Sequence, residues 1–413
     1  MTGVSQSSPA GALSGVRVLD MSRVLAGPWC GQILADLGAE VIKLERPGSG
    51  DDTRGWGPPY LRDRDGNETH ESAYFLGANR GKKSVTLDIS KPAGQQIARR
   101  LATQCDVLIE NYKAGDLARY RLGYEHLRAL NPGLIYCSIT GFGQTGPMRS
   151  VAGYDFIIQA IGGLMSITGE ADGQPGGGPQ KVGVAVADIS TGMYATVAIL
   201  AALFHRTRSG EGQHIDMALL DAQVAVNANM NMNYLIAGHA PRRMGNAHAN
   251  IVPYQVFDAM DGKLVLAVGN DSQFAKFCEA AGCLLHQDPR FRQNADRVRH
   301  REVLVPLLAE IMRRHSVAEW VALLEPIGVP VGPINDLSQV FAHPQVKSRG
   351  LQLELPHALA DAVPSVANPI RMSATPPRYP SAPPTLGQHT REVLGQFGIE
   401  ETEIEALTKE GVI

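Results

Sequence analysis

Short apolar runs typical of strands alternate with helical runs over the first half of the chain, and this pattern restricts the fold more than any other feature. The apolar runs are VRVLD, EVIKLE, SVTLD, DVLIEN and LIYCSI, and helical stretches lie between most of them. Strands that alternate with helices pair in parallel in one sheet. We therefore predict an open, parallel α/β sheet of the Rossmann-like kind up to about residue 205.

The pattern changes after residues 212–226, which are predicted to run from a strand into a helix. An Asn- and Met-rich stretch at 227–234 is interpreted as a link, and a Gly- and Pro-rich stretch at 328–337 as a return linker. Between them, VPYQVFDA and KLVLAVG predict two strands, and residues 274–281 and 303–324 predict helices of a smaller α+β unit. The predicted organisation is a large α/β domain over residues 1–225, a small domain over 226–330, and a linker with a C-terminal segment over 331–413.

Two features are predicted in the C-terminal segment. The stretch TPPRYPSAPP is too rich in proline for a helix or a strand and is interpreted as an extended arm. A short helix is predicted after Thr390, which is a suitable N-cap residue.

Composition excludes several classes of protein. The formal net charge of the 413 residues is −3, so no overall field favours nucleic acid or an anionic membrane. The longest apolar run, Tyr194 to Phe204, is shorter than the roughly 18 residues that span a bilayer and is interpreted as a buried helix. The N-terminal sequence MTGVSQSSPAGALSG lacks the features of a signal peptide. Five scattered cysteines predict neither a disulfide framework nor a metal site, and favour a cytoplasmic location.

The first turn after the first strand argues against a dinucleotide cofactor. An acidic residue, Glu45, ends the second strand, as it does in many dinucleotide-binding folds. However, that fold needs a G-x-G-x-x-G turn after its first strand, and the sequence there is MSRVLAGPWCG. No Gly-rich segment is followed by GK[ST], so a P-loop is also absent from the sequence.

Asp188 is the strongest candidate for a reactive residue. It ends a run of small apolar residues and precedes a strongly helical stretch, in KVGVAVADISTGMYATVAILAALFHR. One interpretation is an ordinary helix N-cap, a position where Asp is favoured. The other is a nucleophile, because exposed N–H groups at a helix N-terminus keep a carboxylate ionised. The two interpretations do not exclude each other.

Basic residues near the ends of the predicted strands suggest a ligand rich in phosphate. Open α/β sheets bind ligands at the carboxyl ends of their strands. Taken one by one, these residues are also consistent with solvated surface charge. They are Arg46, Arg80, Lys82, Lys83, Lys113 and Arg119.

Several long motifs, in order, give the chain a family resemblance from about Leu13 to the segment PTLGQHTREVL. They are LSGVRVLDMSRVLAGPWCGQILADLGAEVIKLERPGSGDDTR, NRGKKSVTLD, DVLIENYKAGDLARYRLGYEHLRALNPGLIYCSITGFGQTGP, GYDFIIQAIGG and VAVADISTGMYA. The chain resembles the family III CoA-transferases of the CaiB/BaiF type. These include formyl-CoA, carnitine and succinyl-CoA-dependent CoA-transferases, and also 2-methylacyl-CoA racemases. The resemblance implies that the C-terminal segment returns to the large domain and that two subunits interlock as a homodimer.

The resemblance also implies roles for individual residues. Asp188 matches the family's catalytic aspartate, and residues 268–272 match its glycine loop over the reacting centre. The loop has a single glycine, Gly269, which is more similar to succinyl-CoA-dependent members than to oxalate-type enzymes. The predicted substrate or oxyanion residues are Tyr154, Gly269 and Asn270, and backbone N–H groups near Gly269 are the candidate donors to the oxyanion. The predicted CoA-binding residues are Leu25, Ala26, Arg46, Leu87, Asn111, Tyr112 and Arg119, with Lys113 beside them.

The expected activity is transfer of CoA from a donor acyl-CoA, with succinyl-CoA as the expected donor, to a carboxylic acid through an aspartyl-acyl anhydride. CoA esters are substrates, and no permanently bound cofactor is expected. The first alternative is a 2-methylacyl-CoA racemase, which would carry a histidine where this chain has Tyr154, a poor proton shuttle at neutral pH. The second is a non-catalytic CoA-binding protein, against which the presence of Asp188 argues.

Overall fold

The structure is a computed structural model that describes residues 11–413. Residues 1–10, which belong to the N-terminal sequence discussed above, lie outside the described residues. The chain divides into two compact units. The larger contains the chain up to Gly163 together with Val182–Met232 and Gln345–Ile413, and the smaller contains Leu164–Lys181 and Asn233–Pro344. The prediction placed residues 164–181 in the large domain and ended the small domain at residue 330. The smaller unit instead includes residues 164–181 and continues to Pro344.

The strands of the described chain are β1 Arg17–Asp20, β2 Glu40–Glu45, β3 Tyr60–Arg62, β4 Glu68–Ser72, β5 Lys82–Thr86, β6 Val107–Glu110, β7 Ile135–Thr140, β8 His214–Ala218, β9 Tyr254–Asp258, β10 Lys263–Ala267, β11 Val331–Pro333, β12 Gln352–Leu355 and β13 Val363–Val366.

The α-helices are α1 Ala26–Asp36, α2 Ala73–Leu76, α3 Pro92–Thr103, α4 Tyr124–Leu130, α5 Asp155–Ile161, α6 Leu164–Ile167, α7 Val186–Ser209, α8 Leu219–Val226, α9 Ala228–Ala237, α10 Asp271–Ala280, α11 Asn294–Arg299, α12 Arg301–Met312, α13 Val317–Leu324, α14 Leu337–Ala342, α15 Pro344–Ser348, α16 Thr390–Gln396 and α17 Glu401–Lys409. Short 3₁₀ helices lie at Asp52–Gly55, Leu117–Tyr120, Leu285–Gln287 and Glu325–Ile327.

The larger unit is built on a six-stranded sheet in the order β5-β2-β1-β6-β7-β8. All of its neighbouring strands pair in parallel, which confirms the predicted open α/β sheet. The chain winds outward from β1 in one direction through β2 and β5, and in the other through β6, β7 and β8. The winding therefore reverses between β1 and β6. A ligand is expected beyond the carboxyl ends of these two strands, because the loops that follow them diverge there.

Each strand of this sheet contributes side chains to both faces, and both faces are covered. In β1, Leu19 packs with α3 and α4 on one face, and Val18 packs with α1 and α7 on the other. Val393 of α16 and Leu407 of α17 join the first of these clusters. The C-terminal segment thus returns to the larger unit, as the family resemblance implies.

Helix α1 differs from its prediction in the face that it buries. It ends where predicted, with Gly38 at φ +103° just beyond the helix. Its buried side includes Cys30 and Leu34, whereas Trp29 and Ile33 are only partly buried. Trp29 and Ile33 instead line a largely apolar cavity of about 840 Å³ in the larger unit. The prediction grouped them with the core because they are apolar, although one side of the helix faces this cavity.

Helix α7 is long and apolar enough to cross a membrane, and it is the one such helix among residues 11–413. Its packing, however, is that of a core helix. Ala187, Ala195 and Ile199 are fully buried against α1 and the sheet. The other side is not covered, since Val197 and Phe204 are 63% and 60% exposed. The prediction of a buried helix is therefore correct for one face of α7 only.

The smaller unit has a three-stranded antiparallel sheet in the order β11-β10-β9, with an apolar core that includes Phe274, Phe277 and Trp320. Two predicted linkers are wrong. Residues 227–234 belong largely to α9, and residues 331–333 form β11. The single helix predicted over 303–324 is two helices, because Ser316 caps α13 in a capping box with Glu319.

Two further segments complete the larger unit. Residues 375–384 contain no helix or strand, in agreement with the prediction for the Pro-rich arm. The helix predicted after Thr390 is α16, but its N-cap residue is His389. The antiparallel pairs β3–β4 and β12–β13 were not predicted, because each is short and only partly buried.

Candidate active site

A cavity of about 180 Å³ lies beyond the carboxyl ends of β1, β6 and β7, where the winding of the sheet reverses. The loop after β1 contributes Leu25 and Ala26, and the loop after β6 contributes Asn111, Tyr112 and Lys113. Tyr154 and Asp188 also line the cavity. The structure therefore brings together seven of the residues that the sequence had selected.

Asp188 lies in the first turn of α7 and is not its N-cap residue, which is Ala185. The N-cap interpretation of Asp188 is therefore wrong. The cap is supplied by another carboxylate, since Asp155 Oδ1 accepts the backbone N–H groups of Ala187 at 2.8 Å and Asp188 at 3.4 Å. Asp188 is left with no side-chain hydrogen bond or ion pair to the residues that the structure describes.

The environment of Asp188 opposes ionisation. Burial, and secondarily the nearby charge of Asp155, raises the pKa of the Asp188 carboxyl from 3.8 to about 7. The expectation that the helix N-terminus keeps this group fully ionised is thus only partly met. Near neutral pH the carboxyl is therefore divided between its protonated and ionised forms.

Close backbone contacts fix the first turns of α7 and α5. A Cβ atom on Gly192 would lie 2.5 Å from the carbonyl oxygen of Ala26, so glycine lets α7 approach the start of α1. A Cβ atom on Gly153 would lie 2.6 Å from Cα of Gly141, at the end of β7. These two contacts hold Asp188 and Tyr154 at the same end of the sheet.

Asp155 and Gln159 are parts of the site that the sequence analysis missed. Gln159 is fully buried, and its Nε2 donates to Asp155 Oδ2 at 2.7 Å. Its Oε1 accepts the backbone N–H of Val182 at 2.9 Å. The pair thereby ties α5 to the segment that leads into α7. The spacing of four residues between Asp and Gln in GYDFIIQ was the available signal.

The loop after β1 is held by Asn111 from the next strand. Its Nδ2 donates to the backbone oxygen of Arg23 at 2.7 Å, and its Oδ1 accepts the backbone N–H of Arg23 at 2.9 Å. The guanidinium of Arg23 lies 5.5 Å from the centre of the Tyr112 ring and pairs with Asp52. Asn111 thus uses its side chain to position the loop that carries Leu25 and Ala26.

Two other predicted CoA-binding residues lie around a second, smaller cavity of about 20 Å³. Arg46 and Leu87 line it, and Arg23 and Tyr112 line both cavities. Arg46 is about half exposed and pairs with Asp52 at 2.7 Å. The two cavities therefore form neighbouring parts of one surface on the larger unit.

Arg119 does not lie with the other predicted CoA-binding residues. Its side chain is 66% exposed, pairs with Asp116 at 3.1 Å, and lines neither cavity. A role in CoA binding stays a prediction for this residue.

Two of the basic residues considered for a phosphate-rich ligand are structural. Lys82 is completely buried and donates to Asp20 at 2.8 Å, and Arg80 is buried against Asp36 at 2.6 Å. Lys83 pairs with Glu40 and Glu392. The prediction that Arg80 and Lys82 are open to a ligand is wrong, because their acidic partners are distant in sequence and the local pattern does not show them.

The predicted oxyanion donors, Gly269 and Asn270, belong to the smaller unit. The backbone N–H of Gly269 donates to Gln273 Oε1 at 2.8 Å. Asn270 is the N-cap residue of α10, and its side chain accepts the backbone N–H of Gln273. The N–H of Gly269 and the side chain of Asn270 are thus engaged within their own turn, and the part of both residues in the reaction stays a prediction.

Comparison with known proteins identifies the family. A model of CoA-transferase family III matches residues 13–390, which is most of the chain. The chain belongs to this family.

Relatives of the family III chain include a succinate–glutarate CoA-transferase from Agrobacterium fabrum, 52% identical over 386 residues, which covers 93% of this chain and 95% of that protein. A succinyl-CoA:glutarate CoA-transferase from Mus musculus is 46% identical over 404 residues, covering 97% and 90% of the two chains. The crystal structure of a CAIB/BAIF family protein from Brucella suis superposes with a TM-score of 0.82 at 48% identity. It covers 94% of this chain and 100% of that chain.

These findings confirm two predictions, the family and the class of enzyme. The protein is a CoA-transferase, and CoA thioesters are its substrates. The relatives named above transfer CoA, which favours transfer over the racemase alternative and over a non-catalytic protein.

Proposed function

We propose that this CoA-transferase moves CoA from succinyl-CoA to a short dicarboxylic acid such as glutarate, with Asp188 as the nucleophile. The observation that carries the proposal is the Asp188 carboxylate, which lines the cavity at the reversal of the sheet and has no ion-pair partner among the described residues. The choice of acids rests on the names of the relatives, which are 52% and 46% identical to this chain.

The reaction proceeds through three covalent forms of Asp188, two anhydrides and a thioester between them. Its carboxylate attacks the thioester carbonyl of succinyl-CoA, which gives an aspartyl-succinyl anhydride and the CoA thiolate. The thiolate attacks the aspartyl carbonyl, releasing succinate and leaving an aspartyl-CoA thioester. The acceptor carboxylate then attacks that thioester, and the released thiolate attacks the acyl carbonyl of the new anhydride. This step forms the product thioester and restores Asp188. One thioester replaces another, so the reaction needs no external energy source.

The surroundings of Asp188 suit these steps. The cavity is small, which limits the water that could hydrolyse an anhydride. Holding the thiolate near the anhydride favours its return over its loss to solvent. The second cavity, lined by Arg46 and Leu87, extends the same surface and offers a cation for the phosphates of CoA.

The proposal includes a homodimer, interlocked as the resemblance implies, and a cytoplasmic location without nucleic-acid or membrane partners. The uncovered side of α7, with Met193, Val197 and Phe204 exposed, is an apolar surface of the kind that subunit contacts bury. Phe156 and Ile161 of α5 are also exposed.

All five cysteines are free thiols, as a reducing compartment requires.

The test is an assay of the purified protein with succinyl-CoA and a panel of mono- and dicarboxylic acids, in which mass spectrometry identifies new CoA esters. We expect glutaryl-CoA from the wild type and none above background from Asp188→Asn. Asp221→Asn is a matched control, because Asp221 also lies in the first turn of a helix and is exposed. Hydroxylamine added during turnover should convert Asp188 to its hydroxamate. An unmodified Asp188 together with full transfer would reject the mechanism.

A further inference from the structure

The loop between β1 and α1 contains a backbone conformation that needs external support. Val24 has φ +71°, in the left-handed region. A β-branched residue adopts this region only where the surrounding structure holds it there. Val24 lines the larger cavity next to Leu25 and Ala26. The shape of this wall of the cavity therefore depends on whatever fixes Val24.

Asp51 holds Val24 through a hydrogen bond to its backbone N–H. One carboxylate oxygen, Oδ1, accepts the backbone N–H of Val24 at 3.2 Å and that of Thr53 at 3.0 Å. The other, Oδ2, accepts Lys43 Nζ at 2.8 Å. Asp51 is 1% exposed and Lys43 is completely buried, so water does not compete for these contacts.

Lys43 holds the same loop at a second point. Its Nζ also donates to the backbone oxygen of Ser22 at 2.9 Å. Lys43 is on β2, the neighbour of β1 in the sheet, and the turn after β2 brings Asp51 back toward the loop. Gly50 makes this turn possible, since it has φ +65° and a Cβ atom there would lie 2.8 Å from Glu45 Oε2.

We propose that the buried Lys43–Asp51 pair is a positioning element that keeps Val24 left-handed and so shapes the CoA-binding wall of the site. The pair does not touch the reacting atoms and acts through the β1–α1 loop. The inference rests on the proposed function, because it assumes that CoA esters occupy the cavity that Val24 lines. It predicts that Lys43 and Asp51 affect the affinity for CoA, and that they do so by keeping the φ angle of Val24 positive.

The test is a cycle of four proteins: the wild type, Val24→Gly, Lys43→Met/Asp51→Ala, and the triple variant. Removing both charges together avoids leaving one buried ion without a partner. Calorimetry gives the Kd for CoA, and thermal unfolding of each protein shows that it is folded. We expect the Lys43→Met/Asp51→Ala change to weaken CoA binding about 10- to 100-fold, as the loss of charge-assisted hydrogen bonds does.

Val24→Gly separates positioning from general stability. Glycine adopts positive φ without support, so in the Lys43→Met/Asp51→Ala background it should recover at least about 3-fold in affinity. In the wild-type background the same change should have no benefit, because Val24 is already held. A Val24→Gly effect of equal size and sign in both backgrounds would overturn the inference.

Two measurements complete the design. The KM for succinyl-CoA should rise with the Kd while kcat changes less, which a loss of folded protein would not produce. Asp63→Asn is the control, since Asp63 also accepts N–H groups of its own turn but lies on the surface. Unchanged CoA affinity in the Lys43→Met/Asp51→Ala protein would reject the inference, whereas failure of the wild type to bind CoA would reject the proposed function itself.

Discussion

Asp188 and Asp51 are both buried carboxylates of the larger unit, but they differ in their charged partners and in their pKa values. Asp188 has no ion-pair partner in the described chain, and burial followed by the charge of Asp155 raises its pKa to about 7. Burial also opposes ionisation of Asp51, but Lys43 and the N–H of Thr53 hold its pKa at about 2. Both carboxylates are buried, so the difference between their pKa values comes from their partners.

The pair formed by Asp20 and Lys82 extends the comparison to the centre of the sheet. Both side chains are completely buried. Burial is the largest influence on each, yet Lys82 and Lys43 keep the pKa of Asp20 below its usual value, and the pKa of Lys82 falls only to about 8. Both groups are therefore charged at neutral pH and neutralise each other. Asp188, by contrast, has no cationic partner in the described chain, and it lies at the site where chemistry is proposed.

Replacing the unpaired carboxylate should have the largest effect on activity. Asp188→Asn removes the proposed nucleophile but keeps the size of the side chain, so transfer should fall by about 10³-fold or more. Steady-state assay of glutaryl-CoA formation measures this loss. CoA binding should change by less than about 3-fold.

The same variant should be more stable than the wild type at alkaline pH. The folded pKa of about 7 lies above the unfolded value of about 3.9, so the wild type loses stability as pH rises between these values. Asp188→Asn removes this loss and should gain about 2–4 kcal/mol at pH 8, with little gain at pH 4. Denaturant unfolding at both pH values measures the difference. An equal gain at both would contradict the raised pKa.

Removing the partner of a paired carboxylate should lower the stability of the protein. Lys82→Met leaves Asp20 buried and charged, and should lower the free energy of unfolding by about 3–5 kcal/mol. The double variant Asp20→Asn/Lys82→Met removes both charges and should be less destabilised than the single one. Chemical denaturation of the three proteins tests this. A double variant that is less stable than Lys82→Met would show that the charges are not the cause.

The position of the unpaired carboxylate depends on the close packing of α7 on α1. In Gly192→Ala the new Cβ would meet the Ala26 carbonyl oxygen at 2.5 Å, so the helices must separate. We expect a loss of about 1–3 kcal/mol in stability, less the gain in helix propensity, together with reduced transfer. Gly395→Ala in α16 is the control, because nothing lies within 4 Å of its added Cβ. Similar stability changes in both variants would show that packing at Gly192 is not limiting.

Much of this arrangement follows from local sequence patterns. The alternation of apolar runs predicted the parallel sheet, and the family resemblance selected the residues after β1 and β6 that form one wall of the cavity. The family motifs selected Asp188, and the structure places it beside that wall. Local pattern suffices for the sheet, because strands that alternate with helices pair in parallel.

The pairing of charges could not be predicted in the same way. Lys82 and Lys83 are neighbours in the sequence, but the alternation of side chains along β5 buries one against Asp20 and leaves the other partly exposed. Their partners are 62 and 43 positions away. The left-handed conformation of Val24 was also hidden, since valine gives no signal for positive φ.

Asp155→Asn should have the smallest effect of these variants, a change in the pH dependence of activity. Asp155 is the second cause, after burial, of the raised pKa of Asp188, so neutralising it should lower that pKa. The acidic limb of the pH profile of kcat/KM for succinyl-CoA should move down by the same amount. An asparagine oxygen can still accept the backbone N–H of Ala187, but the asparagine Nδ2 cannot accept from Gln159 Nε2, so the variant keeps the first contact and loses the second. Activity should therefore rise at pH 6 and stay unchanged at pH 8.5, where Asp188 is ionised in both proteins.

Asp221→Asn, which changes the same charge on an exposed part of α8, should leave the limb in place. A limb that moves equally in both variants would attribute the shift to net charge, and a limb that moves in neither would leave burial as the sole cause of the raised pKa.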